Sequence, residues 1–337
     1  MAAANVRDVA ERAGVSVGTV SNVLNGSPRV SPDTARRVQE AIDALGFVRN
    51  DAARQLRAGR NRTIGFVVLD VSNPFYTDVA RGAELALAEH RRPLVLGNTG
   101  DDVARELAYL DLFEEQRIGG LLISPVGPVN GRLERLRDRG SPVVLVERRA
   151  TTASFSSVSV DDRRGGELAA THLLELGRSR VAFLGGPAGI IQSSDRYEGA
   201  VRASAMHEAS PPLRIELEAM NAESGRSGAL RLLELPADRR PDAVFAANDL
   251  IALGVLQALT FAGVRVPDDI ALIGYDDIYF AANAAVPLSS VRQPAREIGR
   301  TAAELLIAEI DDPGGDERRQ VVFAPELVVR ASTAGHG

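Results

Sequence analysis

At residue 63 the chain changes its hydrophobic period, and that change fixes its architecture. Beyond it, short apolar runs alternate with amphipathic helical stretches to the end of the chain. Strand candidates are 64–69 (IGFVVL), 94–97, 118–123, 143–146 (VVLV), 157–160, 180–184, 213–217, 243–247, 270–274 and 321–329. Helical periodicity fills segments such as 78–90, 102–116, 163–176, 249–262 and 295–310. Near-continuous apolar strands separated by helices predict parallel sheet covered on both faces. About 270 residues are too many for one doubly wound domain, so two similar halves are expected. No Pro- or Gly-rich linker separates them, which leaves room for several thin crossovers.

Before residue 63 the pattern is helical and capped. Asn5 is placed to cap a helix whose stripe is Val6, Val9, Ala10 and Ala13, and Gly14 ends it. Ser16 caps a second helix with Val20, Val23 and Leu24 facing inward, ended by Asn25-Gly26. Ser31-Pro32-Asp33 opens a third, with Val38, Ala41, Ile42 and Leu45 as its stripe and Gly46 at its end. Residues 47–62 (FVRNDAARQLRAGRNR) have few apolar anchors and five arginines. A helix over 50–57 is too short to stand alone in water and reads as a linker that orders on binding.

Charge is divided along the same boundary. Residues 1–62 hold ten arginines against six acids, while the whole chain carries net charge −6. A basic head on an acidic body predicts that the head meets a polyanion. The 337 residues contain no cysteine and only four histidines. That excludes disulfides, thiolate metal sites and a cysteine nucleophile, and makes no case for a cofactor or catalytic metal. The first residues reach charge by Arg7 with no apolar h-region, and no 18-residue apolar run occurs. The expectation is a cytoplasmic protein with no membrane association.

The strongest motif is NVRDVAERAGVSVGTVSNVLN at 5–25: helix, glycine turn, second helix with a polar start. This is helix-turn-helix spacing. Small outer residues let a helix sink into a major groove, and Asn22 is suited to bidentate pairing with adenine. Gly14-Val15-Ser16-Val17-Gly18 fits the G-x-S-x-G hydrolase elbow, but that elbow needs a preceding strand, and here a helix precedes it. Gly185-Gly186-Pro187-Ala188-Gly189 is read as a loop after a strand. Ligands of parallel α/β folds sit beyond the carboxyl ends of the strands, where this sequence places Asp70, Ser124, Glu147, Asp161, Asn248 and Asp276. Each is equally suited to a loop or helix-capping role, and Asn248-Asp249 makes a good capping pair.

The segments NVRDVAERAGVSVGTVSNVLNG, RVSPDTARRVQEAIDALGFVRNDAARQLRAG, IGFVVLDVSNPFY, ANDLIALGVLQAL and IGYDDI resemble the LacI/GalR family of transcription regulators, in order and spacing, across residues 5–330. The resemblance implies an all-α helix-turn-helix head (1–49), a hinge helix and linker (50–62) and an α/β core (63–337) of two doubly wound parallel-sheet subdomains of periplasmic-binding-protein type. The N-subdomain is expected at about 63–161 and 292–320, the C-subdomain at about 162–291 and 321–333. The implied DNA-binding residues are Ser16, Val17, Gly18, Thr19, Ser21, Asn22, Asn25, Arg54, Leu56 and Arg57, with Leu56 as a wedge between bases in the minor groove. The implied effector-binding residues are Asp70, Asn73, Phe75, Ser124, Glu147, Arg196, Asn248, Asp276 and Gln293, with Arg196 the anchor, and Met220 falls near a position where some members stack a tryptophan.

The function that follows is a homodimeric repressor of double-stranded operator DNA, controlled by a small sugar-like effector. A transport receptor with the same core is the alternative, against which the basic head argues. An enzyme is not expected, because Asp276-Asp277 has no nucleophile–base set around it.

Overall fold

The computed structural model describes residues 4–24, 27–47, 61–127, 130–187, 189–315 and 318–334. The chain divides into two compact units, 1–60 and 61–337.

The first unit contains helices α1 (Val6–Ala13), α2 (Val17–Leu24) and α3 (Pro32–Leu45). Their ends are set by the capping residues the sequence supplies. Asn5 accepts from the Arg7 and Asp8 amides, and Asp8 accepts from the Asn5 amide at 2.8 Å, a closed capping box. Gly14 (φ 64) and Gly46 (φ 57) end α1 and α3 in the left-handed region, where a side chain would be strained. Val9, Val20 and Val38, one from each helix, are fully buried at the centre of a small core.

The second unit is built on two six-stranded sheets. Sheet A has the order β11-β5-β4-β3-β1-β2 and is all parallel: β1 (Ile64–Val68), β2 (Leu94–Asn98), β3 (Gly120–Ile123), β4 (Val143–Val146), β5 (Ser156–Val160) and β11 (Gln320–Phe323). Sheet B has the order β12-β10-β9-β8-β6-β7: β6 (Val181–Gly185), β7 (Leu213–Glu216), β8 (Ala243–Ala246), β9 (Ala271–Asp276), β10 (Ser289–Arg292) and β12 (Glu326–Val328), the last antiparallel. Between the early strands of sheet A run α4 (Pro74–Glu89), α5 (Val103–Glu115) and α6 (Asn130–Asp138). The helices α7 (Asp162–Glu175), α8 (Ile191–Met206), α9 (Ala222–Leu233), α10 (Asp249–Phe261) and α11 (Tyr279–Ala282) accompany sheet B. α12 (Ala295–Asp311) returns to sheet A, and α13 (Ala331–Ala334) lies against β9 and β10.

The chain crosses between the lobes three times, after β5, after β10 and after β11. The third crossing corrects the sequence expectation of one strand at 321–329. Two strands occupy that stretch, in different sheets, with Ala324-Pro325 between them. Proline has no amide to continue a ladder. Residues 321–323 therefore stay with sheet A rather than joining the C-terminal lobe. β10, absent from the strand candidates, reads Ser-Ser-Val-Arg and has no apolar run, yet Ser289 and Ser290 are fully buried. Their hydroxyls are satisfied by Arg330 O (3.1 Å) and Asp249 Oδ1 (2.7 Å).

Three helix pairs cross with glycine facing backbone on both sides. A Cβ on Gly82 would strike the Arg296 carbonyl and one on Gly299 the Val79 carbonyl, joining α4 to α12. Gly166 and Gly199 do the same for α7 and α8, and Gly225 and Gly254 for α9 and α10. Each crossing brings two helices into backbone contact, which no larger residue permits. We expect Gly299→Ala to cost about 1–3 kcal/mol by forcing α4 and α12 apart. Gly131→Ala, on an exposed face of α6 with nothing near its Cβ, is expected to be neutral or slightly stabilising. Thermal denaturation of both variants checks this, and equal Tm values would contradict the close-crossing account.

Candidate nucleic-acid interface and ligand cleft

In the helical unit the polar start of α2 faces solvent. Ser16, Val17, Gly18 and Asn22 are exposed, and Thr19 and Ser21 are half-buried. Ser16 Oγ accepts the Thr19 amide at 3.1 Å and lies 2.9 Å from its hydroxyl, so this serine starts the helix. An exposed valine at position 17 and a glycine at 18 leave a slim, partly apolar helix start beside Asn22. Arg7, Arg12 and Arg29 are exposed on the same unit. Asn25, Arg54, Leu56 and Arg57, and the hinge segment 50–57, lie outside the described residues.

In the larger unit, polar side chains from both lobes converge at the carboxyl ends of the strands. Arg196, on the first half of α8, is buried. Its Nε donates to Asp162 Oδ1 at 2.8 Å and its Nη1 to Ala247 O at 2.7 Å. Its guanidinium stacks 3.6 Å from the centre of the Tyr275 ring. Asp276, at the end of β9, lies 3.9 Å from Arg196 Nη1. Gln293 Nε2 (2.8 Å) and Asn73 Nδ2 (3.1 Å) donate to the two Asp276 oxygens. Asn73 belongs to the other lobe, where its own oxygen caps α4 through the Phe75 amide. A second hydrogen bond between lobes runs from Gln192 Nε2 on α8 to Glu147 O at the end of β4, 3.1 Å. Glu147 (φ 60) and Asp276 (φ 102) both hold left-handed backbone, which costs about 1–3 kcal/mol each and is concentrated here at the cleft.

The buried charges set one another's protonation. Burial pushes Glu147 up to about 8, reinforced by Asp162 and Asp276 and opposed by Arg196 and the Tyr76 hydroxyl. Burial also raises Asp162 and Asp276, with Arg196 opposing in both. Burial disfavours the Arg196 cation, but Asp162, Tyr275, Asp276 and Glu147 outweigh it and raise its pKa. The inner pocket thus holds the Arg196 cation, a Glu147 whose proton is held to about pH 8, and the Asp162 and Asp276 carboxyl groups engaged by donors.

Seven of the nine effector candidates, Asp70, Asn73, Phe75, Glu147, Arg196, Asn248 and Asp276, line one pocket of about 40 Å³ between the lobes. Asp70 accepts Ser72 N (2.9 Å) and Ser72 Oγ (2.6 Å), and Asn248 caps α10 through the Ile251 amide (2.8 Å), so both also do local structural work. Ser124 and Gln293 do not line it. Ser124 Oγ is buried without a hydrogen-bond partner, and Gln293 acts through Asp276. Sequence reasoning missed Tyr76, Asp101, Ile190 and Gln192, which line the same pocket. It singled out Asp161 after β5, but Asp161 caps α7 and its neighbour Asp162 holds Arg196. A one-residue step turns a side chain in a new direction, and only the fold decides which of two adjacent aspartates points inward. Beyond the small pocket, and sharing Glu147, Asp101 and Gln192 with it, opens a cavity of about 1070 Å³ with donors and acceptors of both signs on its wall.

A helix-turn-helix unit joined to a two-lobed core that gathers polar groups in its cleft defines a DNA-binding transcriptional regulator that carries a ligand-binding core. Comparison with known proteins agrees. The pattern of the bacterial regulatory proteins of the lacI family matches residues 5–50, and that of the periplasmic binding protein-like domain matches 170–333. The HTH-type transcriptional repressor PurR of Aliivibrio fischeri (strain MJ11) is 33% identical over 98% of both chains. Among solved structures, a transcriptional regulator CelR–cellobiose complex is 32% identical, covers 98% of this chain and 99% of its own, and superposes with a TM-score of 0.71. The lac repressor dimer bound to operator and the anti-inducer ONPF is 25% identical, with a TM-score of 0.82 over 98% of this chain and 99% of its own. The chain belongs to the LacI family. It is a transcriptional regulator rather than a transport receptor or an enzyme. Among the described residues, no helix is long and apolar enough to cross a membrane.

The raised Glu147 pKa has a measurable consequence. A buried acid whose folded pKa lies above its unfolded value of 4.5 favours the folded state fully below that value, and the advantage is lost as pH rises through about 8. Glu147→Gln keeps the shape without the charge. Its Tm should match the wild type near pH 5 and exceed it increasingly towards pH 9, by up to a few kcal/mol of stability. Parallel Tm–pH curves would show that Glu147 ionises freely in the fold.

Proposed function

We propose that this protein is a repressor that binds operator DNA as a homodimer, and that a neutral polyhydroxyl ligand, a sugar, sets its operator affinity from the cleft. The observation that carries this reading is the buried Arg196–Asp162–Asp276 cluster, with Asn73 and Asn248 beside it, at the carboxyl ends of both sheets. Charged pairs and amides in fixed geometry grip neighbouring hydroxyls at two points, and Phe75 offers a flat apolar surface to a sugar face. An anionic group fits the inner pocket poorly, because Arg196, the cation that lines it, is already matched by Asp162 and Asp276. The wider cavity accommodates a ligand larger than the inner pocket, consistent with the cellobiose named for the CelR relative.

Ser16, Val17, Gly18, Thr19, Ser21 and Asn22 are assigned to the DNA interface, with Asn25, Arg54, Leu56 and Arg57 completing it. Residues 1–49 form the head, 50–62 the hinge and linker, and 63–337 the effector core. The protein acts where operator DNA is, in the cytoplasm. A second copy is expected on the free edge of sheet A. There the outermost strand β2 exposes Val95 and Leu96, and α5 beside it exposes Val103 and Leu107. An apolar edge strand left in water invites pairing and is covered in a stable assembly. The lac repressor relative is itself described as a dimer.

Ligand in the cleft must break or replace the Asn73–Asp276 and Gln192–Glu147 hydrogen bonds, and so changes how the lobes close. A thermal-shift screen of sugars, followed by gel shifts on upstream genomic DNA with each hit, tests the reading. Asp276→Asn should lose the ligand response and keep operator affinity within about threefold, because the head is untouched. Coupling is reciprocal, so operator and ligand should alter each other's affinity by the same factor, about 5–150-fold. A ligand response unchanged in Asp276→Asn would remove Asp276 from the site. Leu96→Glu is expected to give monomers by analytical ultracentrifugation with an unchanged circular dichroism spectrum. A dimer that persists would place the interface elsewhere.

A further inference from the structure

The turns leading into β1, β2 and β3, at the β2 side of sheet A, carry a row of arginines. Arg62 precedes β1, Arg91 and Arg92 precede β2, and Arg117 precedes β3. β1 lies between the other two, with Ile64 paired to both Leu94 and Gly120, so these residues share one edge of the sheet. The polypeptide joins the core at the same edge. Asn61 is fixed there by its amide nitrogen, which donates to Gln116 O at 3.0 Å.

Two features distinguish this row from ordinary surface arginines. The first is that Arg91 and Arg117 are exposed and have no carboxylate within ion-pair distance among the described residues. Of the acids nearby, Glu114 is engaged by Arg132 and Arg139, Asp311 by Arg92 and Glu89 by Arg300, while Glu115 is exposed and not within ion-pair distance of Arg117. The arginines at the corresponding turns of sheet B are used up by the backbone, Arg178 on Pro267 O (2.7 Å), Arg180 on Arg240 O (2.8 Å) and Arg240 on Leu233 O (2.7 Å), whereas in the sheet A row Arg62 has a longer contact of this kind, to His90 O at 3.3 Å, and Arg91 and Arg117 have none among the described residues.

The second feature is backbone conformation. Arg91 (φ 53) and Arg117 (φ 47) occupy left-handed positions at the turns after α4 and α5. The turns after α6, α7 and α10 place Gly140, Gly177 and Gly263 in that region, as the sterics favour, while the turn after α8 in sheet B places an acid, Glu208. On both sides of β1 the chain keeps a long cation where glycine is the relaxed choice.

We propose that this edge of the core is a phosphate-binding surface, with Arg91 and Arg117, joined by Arg62, contacting the DNA backbone outside the base-reading contacts of the head. The proposal rests on the DNA-binding reading above. Guanidinium forks match phosphate oxygens, and such contacts add affinity without reading sequence. A net-acidic core repels DNA at long range, and unpaired cations on the edge that holds Asn61 offset that repulsion locally.

The test uses the full chain and a random-sequence 40-bp duplex, read by fluorescence anisotropy across a salt series. Two double variants are compared with wild type, Arg91→Gly/Arg117→Gly and Arg91→Gln/Arg117→Gln. Both should bind roughly tenfold more weakly at low salt, with a log–log salt slope shallower by about 0.9 for each phosphate no longer neutralised. The glycine pair should also keep or raise Tm, since it relieves the backbone. Slopes equal to wild type in both pairs would overturn the phosphate surface while leaving DNA binding by the head intact. No salt-dependent binding by the wild type would overturn both readings together. A shallower slope in the glutamine pair with an unchanged Tm separates weakened phosphate binding from a damaged fold.

Discussion

A guanidinium buried in the middle of a lobe must be surrounded by partners from several directions, and Arg196 imposes that requirement on the whole ligand-binding half of the molecule. Its partners come from the start of α7 (Asp162), the end of β8 (Ala247 O) and the end of β9 (Tyr275 and Asp276). Leaving such a charge uncompensated costs several kcal/mol, so the lobe is specified only when all of these elements are in place together. The close crossing of α7 and α8 belongs to the same constraint. Gly166 packs on the Arg196 carbonyl itself, so the glycine sets the depth at which the cation sits.

The acids gathered to balance that cation then shape the cleft. Burial, reinforced by the neighbouring Asp162 and Asp276, raises the Glu147 pKa to about 8. Asp276 is held by one donor from each side of the cleft, Asn73 from the sheet A lobe and Gln293 from the crossover that follows β10. The lobes are therefore joined through a carboxylate that lines the inner pocket. A ligand and the closed cleft compete for one set of hydrogen bonds, a physical basis for coupling occupancy to lobe angle. The three crossovers are short, so a change in lobe angle is carried into the sheets rather than absorbed by loops.

Much of this was legible in the sequence because it is local. The capping residues Asn5, Ser16 and Ser31 and the glycines 14 and 46 act on their own helices, and each does so in the structure. The apolar strands stand within about two residues of where alternation with helices places them, since burial on both faces of a parallel sheet demands continuous apolar runs. The failures are non-local. Ser289-Ser290 has no strand pattern and becomes a buried strand because Asp249 and Arg330, far away in sequence, satisfy its hydroxyls. The apolar run at 321–329 looks continuous, yet it is divided between two sheets.

What the sequence determined by itself is the division into a basic helical head and an acidic α/β core, the family, and the set of polar residues that end the strands. Those follow from period, composition and capping, which act within a few residues. Only the tertiary structure decided which of those polar residues meet. It chose Asp162 over Asp161, turned Gln293 into a support for Asp276, left Ser124 outside the pocket and brought in Tyr76 and Gln192. The reason is that a side chain's direction at a strand end depends on the turn that follows and on the helix packed above it. Here that packing is set by glycine crossings and one buried cation, whose partners lie as many as 80 residues from it along the chain.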